Sequence, residues 1–411
     1  MTSSPYQHRY LEHYLLKNPD NLEKMIFIAG PRQTGKTTML QKLGPRLGFK
    51  EIRYLNWDNL FDQKFIRDTS YTFFKELIAN TKTKPLIIFD ELHKFPKWKT
   101  YLKGFFDTFK NQLAIIVTGS ARLDTYRRGS DSLLGRYWLF HLYPFSFSET
   151  VGEENISPPN KFTKNEISAA QAKIFNALWQ WGGFPDPFLH RSETYHRRWI
   201  RMRRERLIKE DLRDLSRIHD LTHIDTLMDL VIASIGSTLS FNSLRESLNV
   251  SYNAIKTWIQ WLEAIYYIFR IDPYSKKIHR SFKKEGKYFL YDWSEVKNDG
   301  ARFENMIAVH LKKSIDFWND SGAGNFKLRF VRDHEKREVD FLILKEKEPW
   351  MLIECKLQSD GVDKNLHYMA EQLKTPHNVL VHLGDDPGQY RIYKDKKYWV
   401  TGAKSFLLHF V

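Results

Sequence analysis

The chain has 411 residues, of which 42% are hydrophobic, 15% aromatic and 27% charged, a balance that can bury a sizeable core and excludes a largely disordered or fibrous polymer. Two or three domains are expected at this length. Lys and Arg number 64 against 49 Asp and Glu, a net charge of +15; such an excess favours polyanions through phosphate contacts and counterion release, so nucleic acid is weighed first, against a merely solvated basic surface.

The one cysteine, Cys355, excludes an intramolecular disulfide framework and any site built from several cysteines. A cytoplasmic location is expected. The first residues, MTSSPYQHRYLEHYLL, lack the charged, apolar and small-residue order of a signal peptide, and no apolar run approaches the roughly 18 residues of a membrane span, so no membrane partner is expected.

From Met25 to about Tyr143, short apolar runs alternate with longer mixed stretches: MIFIA, EIRYLN, PLIIFD, LAIIVTG and RYWLFHLY. This rhythm predicts a parallel sheet with helical crossovers. Continuous apolar runs at Ile26–Ala29, Leu86–Phe89 and Ala114–Val117 predict its central, fully buried strands.

Directly after the first strand, Gly30-Pro31-Arg32-Gln33-Thr34-Gly35-Lys36-Thr37 fits the G-x-x-x-x-G-K-[ST] pattern and precedes a helical run that begins with Thr37-Thr38. Such a loop wraps a polyphosphate with its backbone N–H groups, Lys36 neutralises the β- and γ-phosphates, and Thr37 ligates Mg²⁺. ATP and Mg²⁺ are therefore the expected cofactors, with Gly30 to Thr38 as the nucleotide-binding residues. The second buried strand ends in Asp90-Glu91, where Asp90 would hold Mg²⁺ through its water shell and Glu91 would take a proton from attacking water. The third ends in Thr118-Gly119-Ser120, placing hydroxyls at the same edge, where Thr118 or Ser120 could orient that water.

These residues resemble the AAA-type branch of P-loop ATPases, with Walker A and Walker B elements. That resemblance implies that the sensor strand lies between the loop strand and the Asp-Glu strand. GPRQTGKTT, LIIFDELHK, VTGSARL and LLGRYWLFHLYPFSFSE are similar to prokaryotic ATPases whose C-terminal half is known only as a domain of unknown function. Such ATPases work as rings or pairs, which implies a homo-oligomer with an arginine supplied in trans. Arg122, Arg127, Arg128 and Arg136 are candidates, with Arg136 in the LLGR run preferred.

Polar residues 151–168 read as a linker between an ATPase domain at 1–150 and a helical domain at 169–298. Within the latter, FNSLRESL, a turn, and NAIKTWIQWLEAIYYIFR have helix-turn-helix spacing, and the next segment offers two strands around a basic tip carrying Lys276, Lys277, His279, Arg280, Lys283 and Lys284. The whole resembles a winged helix, a DNA-binding or protein-interaction module. Upstream, HRRWIRMRRER is the densest basic run. Spacing puts Arg197, Arg201 and Arg204 near one helical face and Trp199, Met202 and Arg206 near another.

From 299 to 411 the order is helix, three strands, helix, strand. Alternation puts Glu354 and Lys356 on one face of a strand, and a hairpin can bring Asp340 beside them. With Glu304 on the first helix, this order resembles the PD-(D/E)xK restriction-endonuclease-like fold. That resemblance implies Asp340, Glu354 and Glu304 as metal ligands and Lys356 as the residue that positions or deprotonates water. Val339 stands where the stricter pattern has proline.

The expected fold class is α/β: an AAA-type parallel sheet, a helical and winged-helix domain, and a restriction-endonuclease-like domain. The expected function is Mg²⁺-dependent ATP hydrolysis coupled to DNA binding or processing. The alternative is an ATP-controlled signalling or scaffold switch whose nuclease-like domain is silent and binds a protein.

Overall fold

A computed structural model describes residues 6–68, 70–119, 133–153, 156–212, 221–275, 285–358 and 361–411. They fall into two compact units, 6–143 and 144–411.

The first unit is built on strands β1 (Met25–Ala29), β2 (Ile52–Asn56), β3 (Leu86–Asp90), β4 (Ala114–Thr118) and β5 (Tyr137–His141), all pairing in parallel. Their order is β2-β3-β4-β1-β5, so β4 lies between the loop strand and the Asp90 strand, as the resemblance to AAA-type ATPases implied. Every residue of β1, β3 and β4 is buried, which is why these strands read as unbroken apolar runs. Phe74, Phe89, Phe105 and Phe109 fill one face of the sheet with edge-on and tilted ring contacts.

In the second unit, β6 (Ile268–Pro273) and β7 (Lys287–Leu290) form a hairpin after the helices Phe241–Leu248 and Tyr252–Ala264. The basic tip expected between these strands, residues 276–284, lies outside the described residues. β8 (Phe326–Arg332), β9 (Glu338–Lys345), β10 (Glu348–Lys356), β11 (His377–His382), β12 (Gln389–Tyr393) and β13 (Lys396–Gly402) follow. Together they make one sheet in the order β12-β13-β11-β10-β9-β8-β6-β7. The sheet therefore runs across the boundary read at residue 299, because β6 pairs in parallel with β8 through Asp272 and Arg329.

The turn joining β9 to β10 puts Glu346 and Lys347 at φ of 50° and 74°. Two successive positive φ values match the twist of a tight hairpin. The helix Asp299–Asp320 is buried around most of its circumference, as expected of a helix enclosed by its own unit. Its polar residues all meet partners: Asn305 bonds both backbone groups of Leu290, and Lys313 contacts Glu149 at 2.5 Å and Ser146 Oγ at 3.0 Å.

Residues near the expected boundary pack into the second unit. Phe145 and Phe147 pack on Phe188 and Phe175, so the unit boundary falls before Pro144. Residues 156–168 are docked rather than free: Phe162 stacks near Trp399 and Phe406, and Thr163 N donates to His409 Nε2 at 3.0 Å. Along the basic helix Glu193–Arg206, Met202 is exposed, while Arg203 is buried on Glu295 at 3.2 Å beneath the Phe184 ring. Among the described residues, no helix is long and apolar enough to cross a membrane.

Candidate functional site

The loop Gly30–Gly35 leaves β1 and enters the helix Lys36–Arg46. Gly30 has φ of 143°, and a Cβ there would stand 2.2 Å from the Leu142 carbonyl oxygen, so only glycine lets the loop leave the sheet at this point. Gly35 and Gln33 also have positive φ, at 86° and 63°. Thr34 is buried and donates to the Pro31 carbonyl at 2.9 Å. Lys36 folds back on the loop, its Nζ donating to the carbonyls of Gly30 and Pro31 at 3.0 and 2.7 Å. Thr38 is exposed at the helix start, and Arg32 and Gln33 are half-buried.

Asp90 ends β3 and is buried. Thr37 Oγ1 donates to its Oδ2 at 2.7 Å; Tyr54 donates to the same oxygen and Thr118 to Oδ1. The loop hydroxyl and the strands β2, β3 and β4 thus meet at one carboxylate. Burial and the bond to Asp90 push the Tyr54 phenol up, so it stays a donor.

Glu91 follows in a left-handed conformation, φ 55°, sparsely populated for a side-chain-bearing residue. Its Oε2 is buried and makes no hydrogen bond; Lys94 Nζ and His93 Nε2 stand at 3.4 and 3.8 Å. Burial raises its pKa, opposed by the charges of Lys36, Lys94 and Arg32, which makes the carboxylate a stronger base than an exposed glutamate.

Ser120, Arg122, Arg127 and Arg128 lie outside the described residues. Arg136 is described and lies apart from the loop. It precedes Tyr137, which pairs with the first residue of the parallel strand β1, whereas the loop follows the last. There it grips Asp107 with Nε and Nη2 at 2.8 and 3.0 Å.

Two contributors escaped the sequence reading. Tyr54 is one; its place on a strand beside β3 was the available signal, since parallel register sets Asn56 opposite Asp90. Arg9 is the other. It is buried, and its guanidinium bonds the carbonyls of Thr34 and Tyr143, fastening the loop from behind. No pattern in the sequence marks it.

The second expected constellation also assembles, but not around a metal-sized gap. Asp340 N donates to Glu354 Oε2 at 3.3 Å, and Lys356 Nζ lies 2.6 Å from Glu354 Oε1. Glu304 is paired with Lys287 at 2.8 Å, and the same lysine reaches Glu338 and Asp340. Among the described residues, no group of three or more His, Cys, Asp or Glu side chains is arranged to hold a metal ion. Glu304, Asp340 and Glu354, the expected metal ligands, are met by two ammonium groups, Lys287 on Glu304 and Asp340 and Lys356 on Glu354.

Residues 22–151 match a family described as an AAA domain, and residues 172–295 and 299–404 match two domains of unknown function. An uncharacterized protein of Haemophilus influenzae is 21% identical over 345 residues, 78% of this chain and 80% of its own length. The uncharacterized protein MJ1637 of Methanocaldococcus jannaschii is 23% identical over 402 residues, 89% and 81% of the two chains. Among solved structures, the Aeropyrum pernix Orc1 protein in complex with DNA aligns at TM-score 0.33 and 13% identity, covering 74% of this chain and 93% of that one. Thermotoga maritima RuvB aligns at 0.31 and 15%, covering 63% and 87%. The loop, the sheet order and the match of residues 22–151 to an AAA domain support an AAA-type P-loop fold for the first unit.

Proposed function

We propose that this AAA-type P-loop protein hydrolyses ATP with Mg²⁺ and couples the cycle to DNA through its second unit. One observation carries the hydrolytic reading: the loop hydroxyl of Thr37 meets the strand-end carboxylate of Asp90 at 2.7 Å. These donors are oxygens, which suit a hard cation, and Thr37 and Asp90 are the residues that would hold it. Bound there with nucleotide, Mg²⁺ offsets charge on the β- and γ-phosphates.

The chain's own groups do the rest. Backbone N–H groups from Arg32 to Lys36 face the phosphates, and Lys36 exchanges its loop carbonyls for phosphate oxygens. Thr118 and Tyr54 keep Asp90 oriented. Glu91, whose Oε2 makes no hydrogen bond, accepts the proton of the attacking water. Arg136 sits at the far edge of its own sheet, so it serves a site only by facing the loop of another copy, which is the oligomeric arrangement proposed.

Support for DNA is the +15 charge and the exposed arginines of the helix Glu193–Arg206, Arg197 and Arg206 among them. A second reading, an ATP-controlled switch with a silent nuclease-like unit that binds a protein, is favoured by the ammonium of Lys287 inside the carboxylate cluster. The test is steady-state ATP hydrolysis with linear, single-stranded and branched DNA, with Glu91→Gln as control. Stimulation by one DNA form supports the first reading; turnover indifferent to all of them supports the switch. Turnover equal in wild type and Glu91→Gln would remove Glu91 as the base.

A further inference from the structure

Lys287 opens β7 with its side chain 1% exposed, 2.8 Å from Glu304 Oε1, 2.7 Å from Glu338 Oε1 and 3.6 Å from Asp340 Oδ1. A buried ammonium is tolerated only where opposite charge and hydrogen bonds replace its water, and three carboxylates supply both.

The second oxygens of Asp340 and Glu338 and both oxygens of Glu354 are engaged as well. Cys355 N donates to Asp340 Oδ2 at 2.9 Å, Arg332 Nε stands 3.7 Å from Glu338 Oε2, and Glu354 is turned to Lys356 Nζ at 2.6 Å and to Asp340 N at 3.3 Å. A divalent ion bound by carboxylates needs several oxygens facing one point at about 2.0–2.6 Å. Here that point is filled by nitrogen. A cleft of about 1160 Å³ includes Glu304, one carboxylate of the cluster, in its lining.

We propose that Lys287 is the resident cation of this cluster: the carboxylates close around its ammonium in place of Mg²⁺, and neutralising that one side chain uncovers a latent divalent-metal site. The sheet explains how this arises. β7 reaches the carboxylates because β6 pairs with β8, which pairs with β9, and Lys287 crosses the Phe330 ring at 5.7 Å on the way. The inference rests on the second reading above, in which the nuclease-like unit is silent, and it gives that silence a chemical cause.

The experiment is a Mn²⁺ titration of the nucleotide-free full chain, read by the electron paramagnetic resonance signal of free Mn²⁺. Wild type and Asp340→Asn are expected to leave the same free signal. Lys287→Met is expected to gain one site per chain, lost again in Lys287→Met/Asp340→Asn. Lys287→Gln, which keeps a polar head, replaces Lys287→Met if circular dichroism shows the latter unfolded. Wild-type binding that Asp340→Asn abolishes overturns the proposal, as does a folded Lys287 variant that gains no site. ATP turnover measured on the same samples tests the hydrolytic reading separately, since the metal count is taken without nucleotide.

Discussion

At the end of β3, Asp90 is hydrogen-bonded by the hydroxyls of Thr37, Tyr54 and Thr118, whereas on β9 and β10 the carboxylates of Glu338, Asp340 and Glu354 are met by the ammonium groups of Lys287 and Lys356. Hydroxyls supply hydrogen bonds without cancelling charge, so Asp90 keeps its demand for a cation. Ammonium groups supply both, and the second cluster is complete as it stands. Two sites that look alike as lists of acidic residues thus differ in what they ask of solvent.

The largest test of this contrast is at the first site. Glu91→Gln removes the proposed base while keeping the shape, and a turnover loss of about 10²- to 10⁴-fold is expected with ATP binding retained; measuring kcat beside nucleotide affinity separates the two effects.

In the second unit the charge balance is structural, and Lys313 shows it away from the cluster. Removing its ammonium takes the 2.5 Å ion pair from buried Glu149, so Lys313→Met should cost about 3–5 kcal/mol in urea unfolding. A change near zero would mean that water reaches Glu149.

Next in size is a pH effect. His310 is fully enclosed; its Nδ1 faces the Met306 carbonyl at 2.7 Å and its Nε2 accepts from Phe147 N at 3.1 Å, and burial lowers its pKa from 6.5 to about 4. The unfolded chain binds this proton more readily, so the contribution is present above pH 6.5 and is lost as pH falls towards 4. That loss is about 3 kcal/mol. Stability curves across this window should slope accordingly, and His310→Gln should flatten them; an unchanged slope assigns the loss to other groups.

Smallest is Arg9→Met, which takes two bonds from the carbonyls of Thr34 and Tyr143. A cost of about 1–3 kcal/mol is expected, appearing partly as weaker ATP binding because the loop loses its backing. Unaltered ATP affinity would confine Arg9 to packing.

Much of the first site was legible because its residues are consecutive or end buried strands. Gly30 to Thr37 lie in one loop, and the apolar runs before Asp90 and Thr118 announce parallel strands with a common edge. The hairpin contact of Asp340 with Glu354 followed from alternation alone, although the turn carries Glu346 and Lys347 in place of the usual Asn-Gly signal. Glu338 was readable by the same rule, two residues before Asp340 on one face. Lys287 was not. It lies 17 residues before Glu304 in sequence, beyond any local period, and only the pairing of β6 with β8 carries it to the carboxylates. Arg9 is hidden for the same reason, since its partners are backbone carbonyls 25 and 134 residues away.

The contrast between the two clusters is tested most directly by anomalous diffraction from crystals of the wild-type chain grown with Mn²⁺ and a non-hydrolysable ATP analogue. The account predicts a Mn²⁺ peak beside Thr37 and Asp90 and none among Glu304, Asp340 and Glu354, where Lys287 Nζ should remain in contact with Glu304 and Glu338. A peak between Asp340 and Glu354, with Lys287 displaced, would contradict it.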